Sequence, residues 1–352
     1  MLALENAQPL LDWVNERHAI YMRKAYLINR EQDRNDPVMS GVGVRMSSRM
    51  KAAWGHEEPD PKNPKAWTLD RLTDDPILRQ YRFCNVFREL DRVTVWIREN
   101  IREPFADHEH LWFMLAAARY INWPETLEEL MSLGHRYMEY IPSWPSQNDF
   151  APTALTEALS RRRARGEKVE TGAYMIRAES DRKAPWYDWS KQRYVAEVVL
   201  GKLWARRDYI STFLSPGAAA VHMEDVWNIL QDKHYTGWGP FMAYQWVVDL
   251  RWTRYLRDAP DINTWAAVGP GSRRGLNRLH GRPVDAPLRQ EQAVEEMVEL
   301  RELMAQPGAL ASWVQLPDLS DVQNALCETD KYLRVKNGEG RPRAMYVPGR
   351  GW

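Results

Sequence analysis

The 352-residue chain has only two cysteines, Cys84 and Cys327, and no surplus of either charge. Two distant thiols suit neither a disulfide framework nor a zinc site, and a reducing cytoplasm is their natural setting. Lys+Arg and Asp+Glu both number 48. The chain therefore lacks the basic excess of a simple nonspecific DNA binder, while a local basic cleft stays open to it. No apolar run approaches the length that spans a bilayer. The opening stretch MLALENAQPLLDWVNERH carries charges inside its apolar pattern and is not a signal peptide. There is no GxxxxGK followed by Ser or Thr, no HExxH, no CxxC and no GxSxG. These absences argue against a P-loop kinase, a zinc centre and a serine-hydrolase elbow.

What the chain does have is tryptophan, 17 of them, and helical periodicity almost throughout. Large aromatics bury much area, so most of these rings belong to core and rim, with some available to stack on bases. Predicted helices cover residues 10–25, 109–120, 125–140, 154–163, 188–206, 224–230, 240–256, 290–305 and 319–335. Another starts at Asp74 or Asp75 with Pro76 in its first turn and continues through YRFCNVFRELDRVTVWIREN. Residues 31–63 are rich in Pro, Gly, Asp and Ser and read as a long loop or lid. Strand signals are confined to GAYMIRA and RAMYVPG. The expectation is an all-α protein, one catalytic unit over 1–352, with an N-terminal lobe at about 1–150 and a second lobe at about 190–335.

Five segments carry the residue types of a site. On a continuous helix at roughly 100° per residue, Phe83, Val86, Phe87, Leu90, Thr94 and Ile97 share the core face. Tyr81, Asn85, Arg88 and Arg92 share the opposite one. A solvated face favours Lys and Glu; a phenol, a carboxamide and two guanidiniums suit phosphate, carboxylate or a base edge. Asp91 orients a guanidinium or pairs with a basic neighbour. In ERHAIYMRK, Arg17, Tyr21 and Lys24 share a face beside His18, an acid–base group or an interfacial histidine held by a carbonyl. In TGWGPFMAYQWVVDL, Gly237 and Gly239 permit positive φ and Pro240 opens a helix. That turn is an anion cradle for a DNA backbone phosphate, or a corner that only packs. Asp258 and Asp261 follow it. In GPGSRRGLNRLHGR, Gly269 and Gly271 precede Arg273, Arg274, Arg278 and Arg282, the parts of a phosphate nest or an unliganded basic loop. In ALCETDKYLR, Glu328 and Lys331 pair, or Lys331 meets a ligand. SRRRARGEK reads as a solvated basic helix end.

GWGPFMA resembles the hairpin of helix-hairpin-helix DNA glycosylases, in which a catalytic Asp follows the turn, a role that falls on Asp261 or Asp258. Their bifunctional members carry a Lys where this chain has Phe241, which argues against Schiff-base chemistry. A wider resemblance rests on ERHAIYMRK, TDDPILRQYRFCNVFRELDR, GWGPFMAYQWVVDL, GPGSRRGL and LCETDKYLR in that order. Together they resemble the phage α-glutamyl/putrescinyl-thymidine pyrophosphorylases, or amino acid:DNA transferases, and the helical module of 5-hydroxymethyluracil DNA kinases. Residues 31–63 and 99–223 contribute little.

The resemblance implies a two-lobed helix-hairpin-helix architecture and a transferase in thymine hypermodification. A kinase phosphorylates 5-hydroxymethyluracil in DNA; the transferase then replaces phosphate or pyrophosphate with an amine. The implied partners are double-stranded DNA carrying the phosphorylated base, a free amino acid or amine, and the kinase, with no membrane. The setting is the cytoplasm of an infected bacterium. Flipping of the base is expected. The implied sites are Gly269, Gly271, Arg273 and Arg274 for phosphate, Arg17, Tyr81, Asn85, Arg88, Arg92 and Lys331 for substrate, and Gly237 and Gly239 for DNA. Asp261, Asp258 and His18 are the acid–base candidates. No cofactor and no metal ligand set is evident, and Mg2+ would enter through substrate phosphates. A glycosylase acting on a modified thymine and a non-catalytic DNA-recognition module partnering the kinase are the alternatives.

Overall fold

The computed structural model describes residues 2–35, 67–136, 150–172, 174, 176, 182–215 and 220–347. Its helices begin where local chemistry dictates. Asp75 accepts from the N–H groups of Ile77 and Leu78 ahead of Pro76, and Asp318 accepts from the Asp321 N–H. Gly239 and Gly269 each precede a proline in the first turn. In chain order the helices are α1 (Leu4–Asn35), α2 (Pro76–Gln80), α3 (Arg92–Ile97), α4 (Leu111–Ile121), α5 (Pro124–Arg136), α6 (Pro152–Ala164), α7 (Lys191–Arg193), α8 (Gly201–Trp204), α9 (Arg207–Phe213), α10 (Met223–Ile229), α11 (Pro240–Leu250), α12 (Pro270–Leu279), α13 (Gln290–Met304) and α14 (Leu319–Lys336). A π-helical turn at Arg98–Arg102 continues α3, and another at Tyr194–Leu200 joins α7 to α8. The described residues contain no strand, only isolated bridges at Thr68–Arg71 and Tyr81–Met345. The protein is all-helical, as its periodicity indicates.

Three expectations change. The long helix from Pro76 to residue 100 does not form: α2 stops at Gln80 and Tyr81 is extended. Tyr81, Phe83 and Asn85 are buried while Arg82 and Cys84 face outward, a period of two that belongs to extended backbone. The four polar residues thus share no helical face. RAMYVPG pairs with this extended run: Arg82 N–H donates to Ala344 O and Tyr346 N–H to Gln80 O, both at 3.0 Å; several residues of GAYMIRA lie outside the described ones. The Gly269–Arg282 loop is mostly helix α12. Helix α1 also runs past Ala25 to Asn35, and most of the expected lid lies outside the described residues.

The chain forms two compact units. Unit 1 joins Met1–Asp91 to Asn263–Trp352, and unit 2 is Arg92–Ile262. In unit 1, α12 lies against α14 at glycine distance. A Cβ on Gly275 would sit 2.5 Å from the Leu326 carbonyl oxygen, and one on Gly271 2.3 Å from Cys327 Sγ. These glycines serve close helix packing. Unit 2 holds the tryptophan core, with Trp112, Trp238 and Trp246 fully buried. Their N–H groups find carbonyls or a hydroxyl: Trp246 donates to Trp112 O at 2.8 Å and Trp112 to Ser211 Oγ at 3.1 Å. Arg119 grips both oxygens of Asp249 at 2.6 Å, with Thr94 and Asn122 completing the fork.

Gly275→Ala drives a methyl into helix backbone and should lower unfolding free energy by about 1–3 kcal/mol. Gly239→Ala enters open space and should stay within about 0.5 kcal/mol of wild type. Urea unfolding of both variants measures the contrast; equal stabilities would show that α12 and α14 are not in such contact.

Candidate functional site

In unit 1 the extended run after Gln80 cannot bond to itself, so side chains from two helices complete it. Arg17 on α1 donates from Nε to the Cys84 carbonyl at 3.0 Å and from Nη2 to the Phe83 carbonyl at 3.3 Å. From α14, Glu328 Oε2 accepts the Cys84 N–H at 2.8 Å, Asn324 donates to Asn85 O at 3.1 Å, and Asp321 Oδ1 accepts the Arg88 N–H at 2.9 Å. Asp91 Oδ1 takes the Asn85 N–H at 2.8 Å, while Asn85 Nδ2 donates to Leu90 O at 2.7 Å. Lys331 closes onto Glu328 and lies 4.6 Å from the centre of the Phe83 ring.

Ionisable groups therefore converge on Cys84. The residue is exposed, yet burial pushes its thiol well above its ordinary value, and Glu328 and Asp91 add to the rise. Burial also raises the Asp91 carboxyl, against the pull of the Asn85 N–H, Arg88 and Arg17. It raises Asp321 well above the carboxylate range, helped by Asp318. Arg17, 1% exposed, is brought down to about 10 by burial against the opposing charges of Asp91 and its neighbours. Lys24, about two turns along α1, falls to about 8 through burial and then through Arg17 and Arg82. The pocket is thus of mixed charge, with proton-accepting groups held away from their usual range.

Of the sequence-predicted residues, Arg17, Asn85, Arg88 and Lys331 meet here. Asn85 and Arg17 fix backbone, whereas the Arg88 guanidinium acts on Cys84, Asp91 and Asp321. Tyr81 is buried at the bridge to Met345. His18 is half-buried between aromatics, stacked on Tyr21 and edge-on to Phe87. Gly269 caps α12, where its N–H donates to Ser272 Oγ at 3.0 Å, and Gly271 packs on Cys327. Arg274 Nε lies 3.4 Å from Asp330 Oδ2, and Arg273 is its half-buried neighbour on α12.

The remaining candidates belong to unit 2. Arg92 pairs with Glu125 at 2.7 Å. Gly237 has φ of 87° and Gly239 is extended, so only the first needs glycine's freedom. Trp238 between them is a core residue, and Tyr120 donates to Gly237 O at 3.2 Å. Asp261 caps α10: its two oxygens accept the Met223 and Glu224 N–H groups at 2.9 and 3.0 Å. Asp258 is exposed beside Arg257. No group of His, Cys, Asp and Glu able to hold a metal occurs among the described residues. None of their helices is long and apolar enough to cross a membrane.

Sequence reasoning passed over Cys84, Asp321 and Asn324, and saw Glu328 only as a partner for Lys331. A signal was present: Asp321, Asn324, Glu328 and Lys331 recur at three- and four-residue spacing, a polar stripe on a helix that otherwise reads as core.

These features define an all-helical protein with a mixed-charge pocket built on an extended segment. A family model described as 5-hmdU DNA kinase, helical domain, matches residues 62–341. The chain belongs to that family, which relates it to hydroxymethyluracil DNA modification. No curated protein and no solved structure matches it.

Asp91 keeps its proton to higher pH folded than unfolded. As pH rises past the ordinary carboxylate range, the unfolded chain ionises first and stability falls until the folded carboxyl also ionises. Asp91→Asn retains an acceptor for the Asn85 N–H and removes this loss. Its urea midpoint should exceed that of wild type at about pH 7 and converge with it at about pH 3, each unit of displacement contributing about 1.4 kcal/mol. A gap independent of pH would contradict the burial of this charge.

Proposed function

We propose that the chain is an amino acid:DNA transferase that acts on phosphorylated 5-hydroxymethyluracil at the Cys84 pocket. The observation that carries this reading is the cluster of ionisable groups around the exposed Cys84, built jointly by ERHAIYMRK, FCNVFRELDR and ALCETDKYLR. Three of the five segments behind the transferase resemblance meet there, with GPGSRRGL packed behind Cys327. Family membership supports the base, and the absent P-loop motif argues against the phosphorylation step itself.

The chemistry follows from the groups present. The substrate's exocyclic methylene carries phosphate as leaving group. Arg88 and Lys331 bind that phosphate as the C–O bond breaks and the electron pair leaves with oxygen. The amine nitrogen forms the new bond to the methylene carbon. Its proton passes to Asp91, whose hold on a proton is strengthened by burial. Arg17, Glu328 and Asn85 are positioning residues, because they act through the backbone that carries Cys84 and Asp91. The Gly237–Gly239 turn ahead of α11 is the hairpin assigned to a DNA backbone phosphate. Asp261 is a poor base, since both its oxygens already hold N–H groups; that favours transfer over glycosylase chemistry.

The second reading is a non-catalytic recognition module working with a separate kinase, favoured by the family's description as a kinase's helical domain. Nucleoside mass spectrometry after incubating phosphorylated hydroxymethyluracil DNA with pooled amino acids separates the readings. Transferase activity gives an amine-substituted nucleoside, a recognition module leaves the mass unchanged, and a glycosylase leaves abasic sites. Asp91→Asn should slow conversion by roughly 10²- to 10⁴-fold, and Arg88→Ala should also slow it. Conversion at the wild-type rate in both variants would remove this pocket from the reaction.

A further inference from the structure

We infer that unit 1 carries its own duplex-DNA docking track, running from α12 over the end of α14 and residues 339–346 to the Cys84 pocket. The inference rests on the DNA-modification reading above. It starts from an asymmetry of charge: the whole chain is neutral, yet GPGSRRGLNRLHGRPV on and beyond α12 contains no acidic residue.

The buried residues of α12 are Ser272, Gly275, Leu276, Asn277 and Leu279, and Arg273, Arg274 and Arg278 lie half-buried at their margin. One buried carboxylate, Asp330, organises three guanidiniums there. It lies 3.4 Å from Arg274 Nε, 2.8 Å from Arg278 Nε and 3.6 Å from Arg334 Nε. Arg278 spends its terminal nitrogens on Glu339. Arg274 and Arg334 reach Asp330 at ion-pair distance, Arg274 also lies 3.9 Å from Asp285 Oδ1, and their side chains stay 28% and 33% exposed. Two forks oriented by a buried acid and still partly exposed suit phosphate oxygens.

The Arg278–Glu339 pair also directs the C-terminal segment, because it fixes the chain leaving α14 against α12. That chain carries the exposed Arg341 and Arg343 and then docks alongside Gln80–Arg82. Arg82 is exposed two residues before Cys84. Arg341, Arg343 and Arg82 thus add exposed cations between α12 and Cys84, with Glu339 taken up by Arg278. A local track of this kind on a neutral protein steers a polyanion toward one place. Guanidinium forks match phosphate and carboxylate alike; membership of a DNA-modification family selects the phosphate backbone as occupant.

The test uses the full chain and a fluorescein-labelled unmodified duplex, with anisotropy read across a salt series. Arg341→Glu/Arg343→Glu is compared with Arg161→Glu/Arg163→Glu in unit 2, and Arg341→Gln/Arg343→Gln serves if the first variant fails to fold. The track predicts that its variants bind more than tenfold weaker at ~0.1 M salt and that the log Kd against log salt slope drops by about two for lost phosphate contacts. The unit 2 variant should bind like wild type. If wild type binds and modifies DNA but the track variants match it, or the unit 2 variant weakens equally, the track is wrong while the enzymatic reading stands. If wild type binds no duplex, both fall.

Discussion

The backbone between Phe83 and Arg88 has no helix or sheet to complete it, and the need to satisfy it organises unit 1. Buried N–H and C=O groups left unpaired cost roughly 1–3 kcal/mol each. Here the partners are charged side chains from α1 and α14: Arg17 for two carbonyls, Glu328 and Asp321 for two N–H groups. The same solution that holds an irregular segment in place also concentrates ionisable groups around it. Burying those groups shifts Asp91, Asp321 and Lys24 toward the range in which protons move near neutrality. A structural requirement and a chemical opportunity have one cause.

Unit 2 solves its packing differently. Its tryptophans fill the interior, and its buried charge is a closed fork in which Arg119 and Asp249 satisfy one another. Asp261 is likewise spent, on the N-terminus of α10. Such completed pairs leave little for chemistry. In unit 1 Cys84 is exposed, and the Arg274 and Arg334 side chains keep part of their surface in solvent. That contrast between spent and available polar groups is why the reaction is assigned to the pocket and not to the carboxylates after the hairpin.

How much of this is legible in the sequence depends on whether one period dominates. The helices α13 and α14 follow from caps and periodicity almost to the residue, while α11 starts at Pro240 as expected but ends at Leu250, short of its pattern. The helix through residues 81–91 fails because aromatic and apolar residues there satisfy two periods at once, and tertiary partners decide for the extended one. The GPGSRRGL segment reads as a loop because glycines usually break helices. Gly271 and Gly275 are there because α14 approaches too closely for a Cβ. The segments that carry the pocket are visible as unusual clusters of polar types. Their joint arrangement is not, since it depends on Arg17 and Glu328 meeting at one residue across a separation of hundreds of positions.

The central claim is that the ionisable cluster around Cys84 receives the modified base. The direct measurement is thiol labelling of Cys84 in a Cys327→Ser background, by a small methanethiosulfonate at mildly alkaline pH, with duplexes present in excess. A duplex bearing phosphorylated 5-hydroxymethyluracil should protect Cys84 strongly, while the same sequence with thymine should protect it far less. Equal labelling with both duplexes, under conditions where both are bound, would contradict the account.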